Sequence, residues 1–121
     1  MRHSLLAMIL FALGLHLAHA QNYPNRPIKL VVPFPPGGLI DNAARLIGPE
    51  LSKELGQAVV VENKPGAGGN LAAAEVAKAN ADGYTLLMAS APLTISPVLY
   101  KSLPYNPANI EPIAILGQLP N

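Results

Sequence analysis

Between an apolar run, Ile28 to Val32, and a helical stripe starting near Ile40 lies the segment Pro33-Phe34-Pro35-Pro36-Gly37-Gly38. Proline fixes φ and removes an amide donor, and glycine admits conformations closed to other residues. Such a hexapeptide continues neither a strand nor a helix. It therefore dictates a strand–loop–helix junction, with the loop at the carboxyl end of the strand. In open α/β sheets that edge is where ligands bind. Backbone amides and a helix N-terminus aimed at one point suit an anion.

The rest of the chain repeats the theme. Ile40, Ala43, Ala44, Ile47, Leu51 and Leu55 form one helical stripe. Gly48-Pro49 falls inside it and is expected to kink or split that helix, and Gly56 is a natural stop. Ala58 to Glu62 is a short β-branched strand. A second glycine-rich loop, Asn63 to Asn70, follows it, with Asn70 placed to cap an alanine-rich helix over 71–79. After the turn Asn80–Gly83, Tyr84 to Ala89 reads as a third strand, leaving through Ser90-Ala91-Pro92. Residues 93–100 form a short helix limited by Pro97, and Ile113 to Leu116 is a fourth strand. The order predicts an α/β fold, a parallel sheet with right-handed βαβ crossovers.

Residues 1–20 have the form of a cleaved secretory leader. Arg2 and His3 precede an apolar stretch, Leu5 to Leu17, and Ala18-His19-Ala20 is an A-x-A site. An uncleaved anchor is the alternative, disfavoured by the short apolar stretch. Cleavage removes His3, His16 and His19, all three histidines, and the chain has no cysteine. The mature chain then offers no Ser–His or Cys–His nucleophile, no ordinary zinc site and no disulfide. No metal or cofactor is expected. Eight basic residues, of which Arg2 leaves with the leader, stand against seven acidic ones. They are scattered singly, which argues against nucleic acid as a partner.

Three features are candidate functional elements. The loops 35–38 and 65–69 each join a strand to a helix. Two readings stand: a pair of cradles converging on one small anion, or the glycine that any tight βα turn needs. Gly66-x-Gly68 begins a dinucleotide fingerprint, but Leu71 occupies its third glycine position, and no phosphate-binding Walker sequence is present. Asp41 and Arg45, at i and i+4, either form a local ion pair beside a helix N-terminus, or Asp41 lines the ligand cleft, capping backbone amides or holding a water. Ser90 is a ligand hydroxyl or an ordinary strand-end serine, and Tyr84 reads as packing.

Four runs occur in order: V-P-F-P-P-G-G-x-x-D-x-x-A-R (32–45), L-S-K-E-L-G-Q-A-V-V-V-E-N-K-P-G-A-G-G-N (51–70), V-A-K-A-x-x-D-G-Y-T-L-L (76–87) and L-Y-K-S-L-P-Y-N-P (99–107). Together the sequence over 23–118 resembles the extracytoplasmic receptors of tripartite tricarboxylate transporters, the Bug family. The resemblance implies a monomeric periplasmic receptor, not an enzyme, whose two α/β lobes close on a small carboxylated solute and deliver it to membrane components. It places one carboxylate against Pro36, Gly37, Gly38, Leu39, Ile40 and Asp41, against Ala67, Gly68, Gly69 and Asn70, and against Ser90 and Ala91, largely through backbone amides and bridging waters. An enzyme using the glycine loops for phosphate or a nucleotide is the alternative function, and an inert truncated product a third.

The sequence departs from the family pattern in places. Leu39 and Ile40 stand where small or polar residues are common, Ala72 where glycine is common, and Ala81 where proline is. Pro49 is unusual. The resemblance also implies a second lobe, so 21–121 is expected to be an incomplete first lobe. Leu86, Leu87, Ile113 and Leu116 are then expected to expose apolar surface.

Overall fold

The computed structural model describes residues 22–117, and the leader reading of 1–20 lies outside the described residues. Three parallel strands, β1 (Ile28–Val32), β2 (Val59–Asn63) and β3 (Thr85–Leu87), form a sheet in the order β2-β1-β3. Helix α1 (Leu39–Leu55) joins β1 to β2, and α2 (Asn70–Lys78) joins β2 to β3. Helix α3 (Ala91–Leu99) follows β3. The register pairs Ile28 with Val59, Val32 with Asn63, and Leu30 with Leu86. The predicted parallel α/β architecture is therefore the observed one.

Side chains alternate across a strand, so the two faces of β1 have different neighbours. Leu30 and Val32 meet Ala44, with Ile40, Ala43 and Ile47 of α1 packed against them. Val59, Val61, Leu86 and Met88 complete that side. On the other face Leu87 meets Ala73, Ala74 and Ala77 of α2, together with Leu93, Leu103, Tyr105 and Ile110. Small alanines let α2 lie close to the sheet. Ile28, Val31 and Val32 are almost wholly buried, and each contributes roughly 1.5–3 kcal/mol relative to exposure. Lys29 is tolerated on this central strand because its ammonium meets Glu62 at 3.2 Å and Glu75 at 3.1 Å. Those carboxylates raise its pKa, the Glu75 hydrogen bond most.

At the amino-terminal edge of the sheet an aromatic clasp holds residues 22–27. Tyr23 packs edge-on against Tyr84, with ring centroids 5.0 Å apart. Its hydroxyl donates to the Gly83 carbonyl at 2.7 Å. Tyr84 Oη accepts from the Asn25 amide and donates to Asn25 Oδ1. The Arg26 guanidinium lies 4.2 Å from the Tyr84 ring centre and pairs with Asp82. Tyr84 is thus both packing and polar anchor.

Four expectations need correction. Helix α1 runs unbroken through Pro49. Pro49 and Arg45, whose carbonyl loses a partner to it, are both exposed, so the missing bond falls on the solvent-facing side of the helix. Residues 113–116 form no strand. A strand needs a ladder partner for its amides and carbonyls, and this segment has none among the described residues. Asn70 does not cap α2: Gly69 holds the cap position and no side chain bonds the first turn. Buried, Asn70 instead uses Oδ1 to accept from Tyr105 Oη at 3.2 Å. Leu86 and Leu87 are half-buried and packed into the two clusters. Ile113 and Leu116, at 79% and 62% exposed, do present apolar surface.

Candidate functional site

Parallel strands put all three strand-to-helix exits on one edge. The first exit leaves central β1. Its loop turns at Gly37, where φ is +84°, into α1 with Gly38 at the cap position. The second leaves β2 through a run of left-handed residues, Gly66, Ala67, Gly68 and Gly69, which ends at the N-terminus of α2. The third leaves β3 and enters α3 at Ser90. The exits touch. A β-carbon at Gly69 would stand 3.2 Å from Pro33 Cβ, and α3 packs against the second loop. Lys64 N donates to the Val32 carbonyl at 2.8 Å and Met88 N to that of Val31 at 2.9 Å. These bonds carry the strand pairing up to the rim.

Three helices start at this rim, and none has a side-chain N-cap. The cap residues are Gly38, Gly69 and Ser90, and none accepts a bond from its helix's first turn. First-turn amides have no acceptor within their own helix, and serine, asparagine or aspartate usually supplies one. Here a serine at one cap and glycines at two leave those amides without a side-chain partner. The rim therefore combines partial positive charge from three helix ends.

Asp41, in the first turn of α1, does not neutralise this rim. It is 1% exposed and bound on all sides. Oδ2 accepts from Gly37 N at 2.7 Å and from Arg45 Nε at 3.0 Å. Oδ1 accepts from Asn63 Nδ2 at 2.8 Å and from Arg45 Nε at 3.1 Å. The Arg45 guanidinium foremost, then the Gly37 amide and the Asn63 amide, bring its pKa down to about 2. Asp41 thus pairs with Arg45, as its spacing implied, and also caps a backbone amide of the first loop.

Of the residues singled out from sequence, Pro36, Gly37, Gly38 and Leu39 are exposed on the first loop and Ile40 is half-buried against the α1 core. Ala67 and Gly68 are exposed on the second loop, while Gly69 and Asn70 are buried. Ser90 is half-buried and Ala91 exposed at the third. Asn63 was missed. The signal was available: asparagine is disfavoured in strands, yet it ends the run Val59-Val60-Val61-Glu62-Asn63. Two open grooves lie elsewhere, about 480 Å³ beside Lys29, Lys64, Glu75 and Lys78 and about 320 Å³ beside Pro49 and Ser52, and neither is lined by residues 33–38, 65–70 or 90–91. The candidate site is a rim, open above.

An open parallel sheet whose three strand-to-helix exits gather at its carboxyl edge places the chain in the α/β class. The comparisons with known proteins make it particular. The model for the tripartite tricarboxylate transporter family receptor, TctC, matches residues 43–121, and the chain belongs to that family. A UPF0065 protein of Bordetella bronchiseptica is 46% identical over 121 residues, 98% of this chain and 36% of that protein. The R. palustris protein Rpa4515, solved with adipate, superposes with a TM-score of 0.66 at 44% identity, over 71% of this chain and 29% of that one. The periplasmic binding protein BugD gives 0.63 at 43%, over 70% and 28%. The chain spans about a third of the length of the curated relatives it matches.

Proposed function

We propose that this chain is the anion-gripping part of a periplasmic solute receptor that binds a small organic carboxylate without chemistry. In that reading it hands its solute to the membrane components of a tripartite transporter. One observation carries it: three helix N-termini, at Gly38, Gly69 and Ser90, meet at one sheet edge without side-chain caps. A carboxylate supplies the missing acceptor, and charge-assisted bonds to amides are stronger than neutral ones. The amides of Gly38, Leu39 and Ile40 and of Ala91 are the donors, while Gly69 and Asn70, whose own amides are taken by the Gly66 and Ala67 carbonyls, line the rim at the start of α2. Pro36 and Gly37 shape the first loop and Ala67 and Gly68 the second, and Ser90 supplies a hydroxyl at the cap position of the third. Asp41 fixes the first loop and stays off the ligand, since two carboxylates would repel. The adipate held by Rpa4515 supports a dicarboxylate as the solute, and the part-length match supports reading 21–121 as belonging to the first of two lobes.

Gly38 allows a clean test. Its φ of −76° is open to any residue, and a β-carbon there would meet only the Pro35 carbonyl, at an ordinary 3.6 Å. Gly38→Val should therefore keep the fold while blocking close approach to the backbone. In an amide-resolved NMR titration with adipate, wild type should shift residues 37–41, 67–70 and 90–91. Gly38→Val should weaken that binding at least tenfold. Wild-type shifts confined to other residues would overturn the assignment.

A further inference from the structure

We infer that Asn63 is a positioning residue of the rim, a side chain that locks the first loop to the strand carrying the second. This rests on the carboxylate-binding reading above. Asn63 ends β2 in register with Val32, so its side chain stands beside the exit of β1. Nδ2 donates to the Phe34 carbonyl at 3.0 Å and to Asp41 Oδ1 at 2.8 Å, and Oδ1 accepts from Arg45 Nη2 at 2.9 Å. Both amide hydrogens and the carbonyl are used. The reverse orientation would set oxygen against two acceptors and nitrogen against a guanidinium, so the partners dictate which way the amide points.

The residue type matters. Aspartate has no donor and would place a second carboxylate against Asp41. Serine is too short to reach three partners. A cation would bond Asp41 but would also add a mobile charge competing for the solute's carboxylate. An uncharged amide satisfies Asp41 and leaves the Asp41–Arg45 pair neutral, so the attraction at the rim comes from the fixed helix ends. Through Phe34 and through Asp41, which holds Gly37, Asn63 sets where the first loop stands. Three residues beyond Asn63 the chain enters the left-handed turn of the second loop. Fixing that spacing before the anion arrives reduces the ordering lost on binding.

The test compares wild type, Asn63→Leu, which keeps the approximate volume, and Asn63→Asp, which keeps the shape and the Arg45 contact but loses the donor. Each is titrated with adipate by amide-resolved NMR, with thermal unfolding and Gly37 amide exchange measured alongside. The expected result is at least tenfold weaker binding and at least tenfold faster Gly37 exchange in both variants, with the circular dichroism of wild type. A variant that melts earlier but binds as wild type overturns the positioning role and leaves a structural one. If Asn63→Leu fails to fold, Asn63→Asp decides by the same criteria. Failure of wild type itself to bind strikes the site reading. In that case unchanged Gly37 exchange in the variants still overturns the lock, and faster exchange still supports it.

Discussion

The two glycine-rich loops meet at Pro33 and Gly69, yet they are held by different means. The first, 33–38, is tied by side chains: Asp41 holds the Gly37 amide, and Asn63 holds the Phe34 carbonyl. Only Gly37 in it has a positive φ. The second is held by its own backbone, with four successive residues, Gly66 to Gly69, at positive φ and turn bonds from Gly69 N to the Gly66 carbonyl and from Asn70 N to that of Ala67. A loop fixed by side chains answers to charge and to mutation at a distance. A loop fixed by torsion answers to any β-carbon placed in it.

The largest effect expected from this contrast is at Gly69. A valine there meets both a φ of +95° and the Pro33 ring at 3.2 Å. Left-handed strain and overpacking together should cost on the order of 3 kcal/mol, measured by urea unfolding. A loss below about 1 kcal/mol would show that the loops slide apart freely.

Next comes Asp41→Ala, which should release the first loop alone. Hydrogen exchange at Gly37 should rise at least tenfold, as the loss of a hydrogen bond to a charged group requires, while exchange at Gly69 stays within twofold. Equal acceleration at both loops would erase the distinction. Gly37→Ala and Gly68→Ala then form a matched pair: φ is +84° and +64°, and neither β-carbon meets an atom within 4 Å. Each should cost about 1 kcal/mol. A much larger loss at Gly68 would mean that torsion in the second loop is coupled along its length.

The smallest signal comes from acid. Asp41 has its pKa lowered from 3.8 to about 2, so the folded state favours its ionised form. The stability it contributes is complete above pH 3.8 and is lost as pH falls through about 2. The Gly37 amide resonance should titrate with a midpoint near 2, while that of Gly68 should not follow it. A Gly37 midpoint near 4 would show that Asp41 lacks these partners in solution.

Much of this was legible from residue order. The Pro-Gly loop after Val32 and the stripe from Ile40 to Leu55 located the first unit, and Gly56 takes the left-handed stop expected of it. The i, i+4 spacing announced the Asp41–Arg45 pair. What sequence hid was long-range. Asn63 stands out locally as an asparagine ending a strand, but its partner Asp41 lies 22 positions away, and nothing local says that its amide turns towards the first loop. Asn70 looked like a cap because local chemistry favours one, but Tyr105, 35 residues on, claims its oxygen. The apolar run 113–116 has strand composition, yet composition supplies no partner for its amides.

The aromatic clasp has a practical consequence. Tyr23, Asn25 and Arg26 are fastened to Asp82, Gly83 and Tyr84 at the end of the sheet opposite the rim. A fluorophore or surface linker joined at Asn22 would therefore be anchored about one strand length from the candidate site, roughly 17 Å for five residues. Immobilised that way, the molecule would present its rim outward, an orientation suited to a carboxylate sensor.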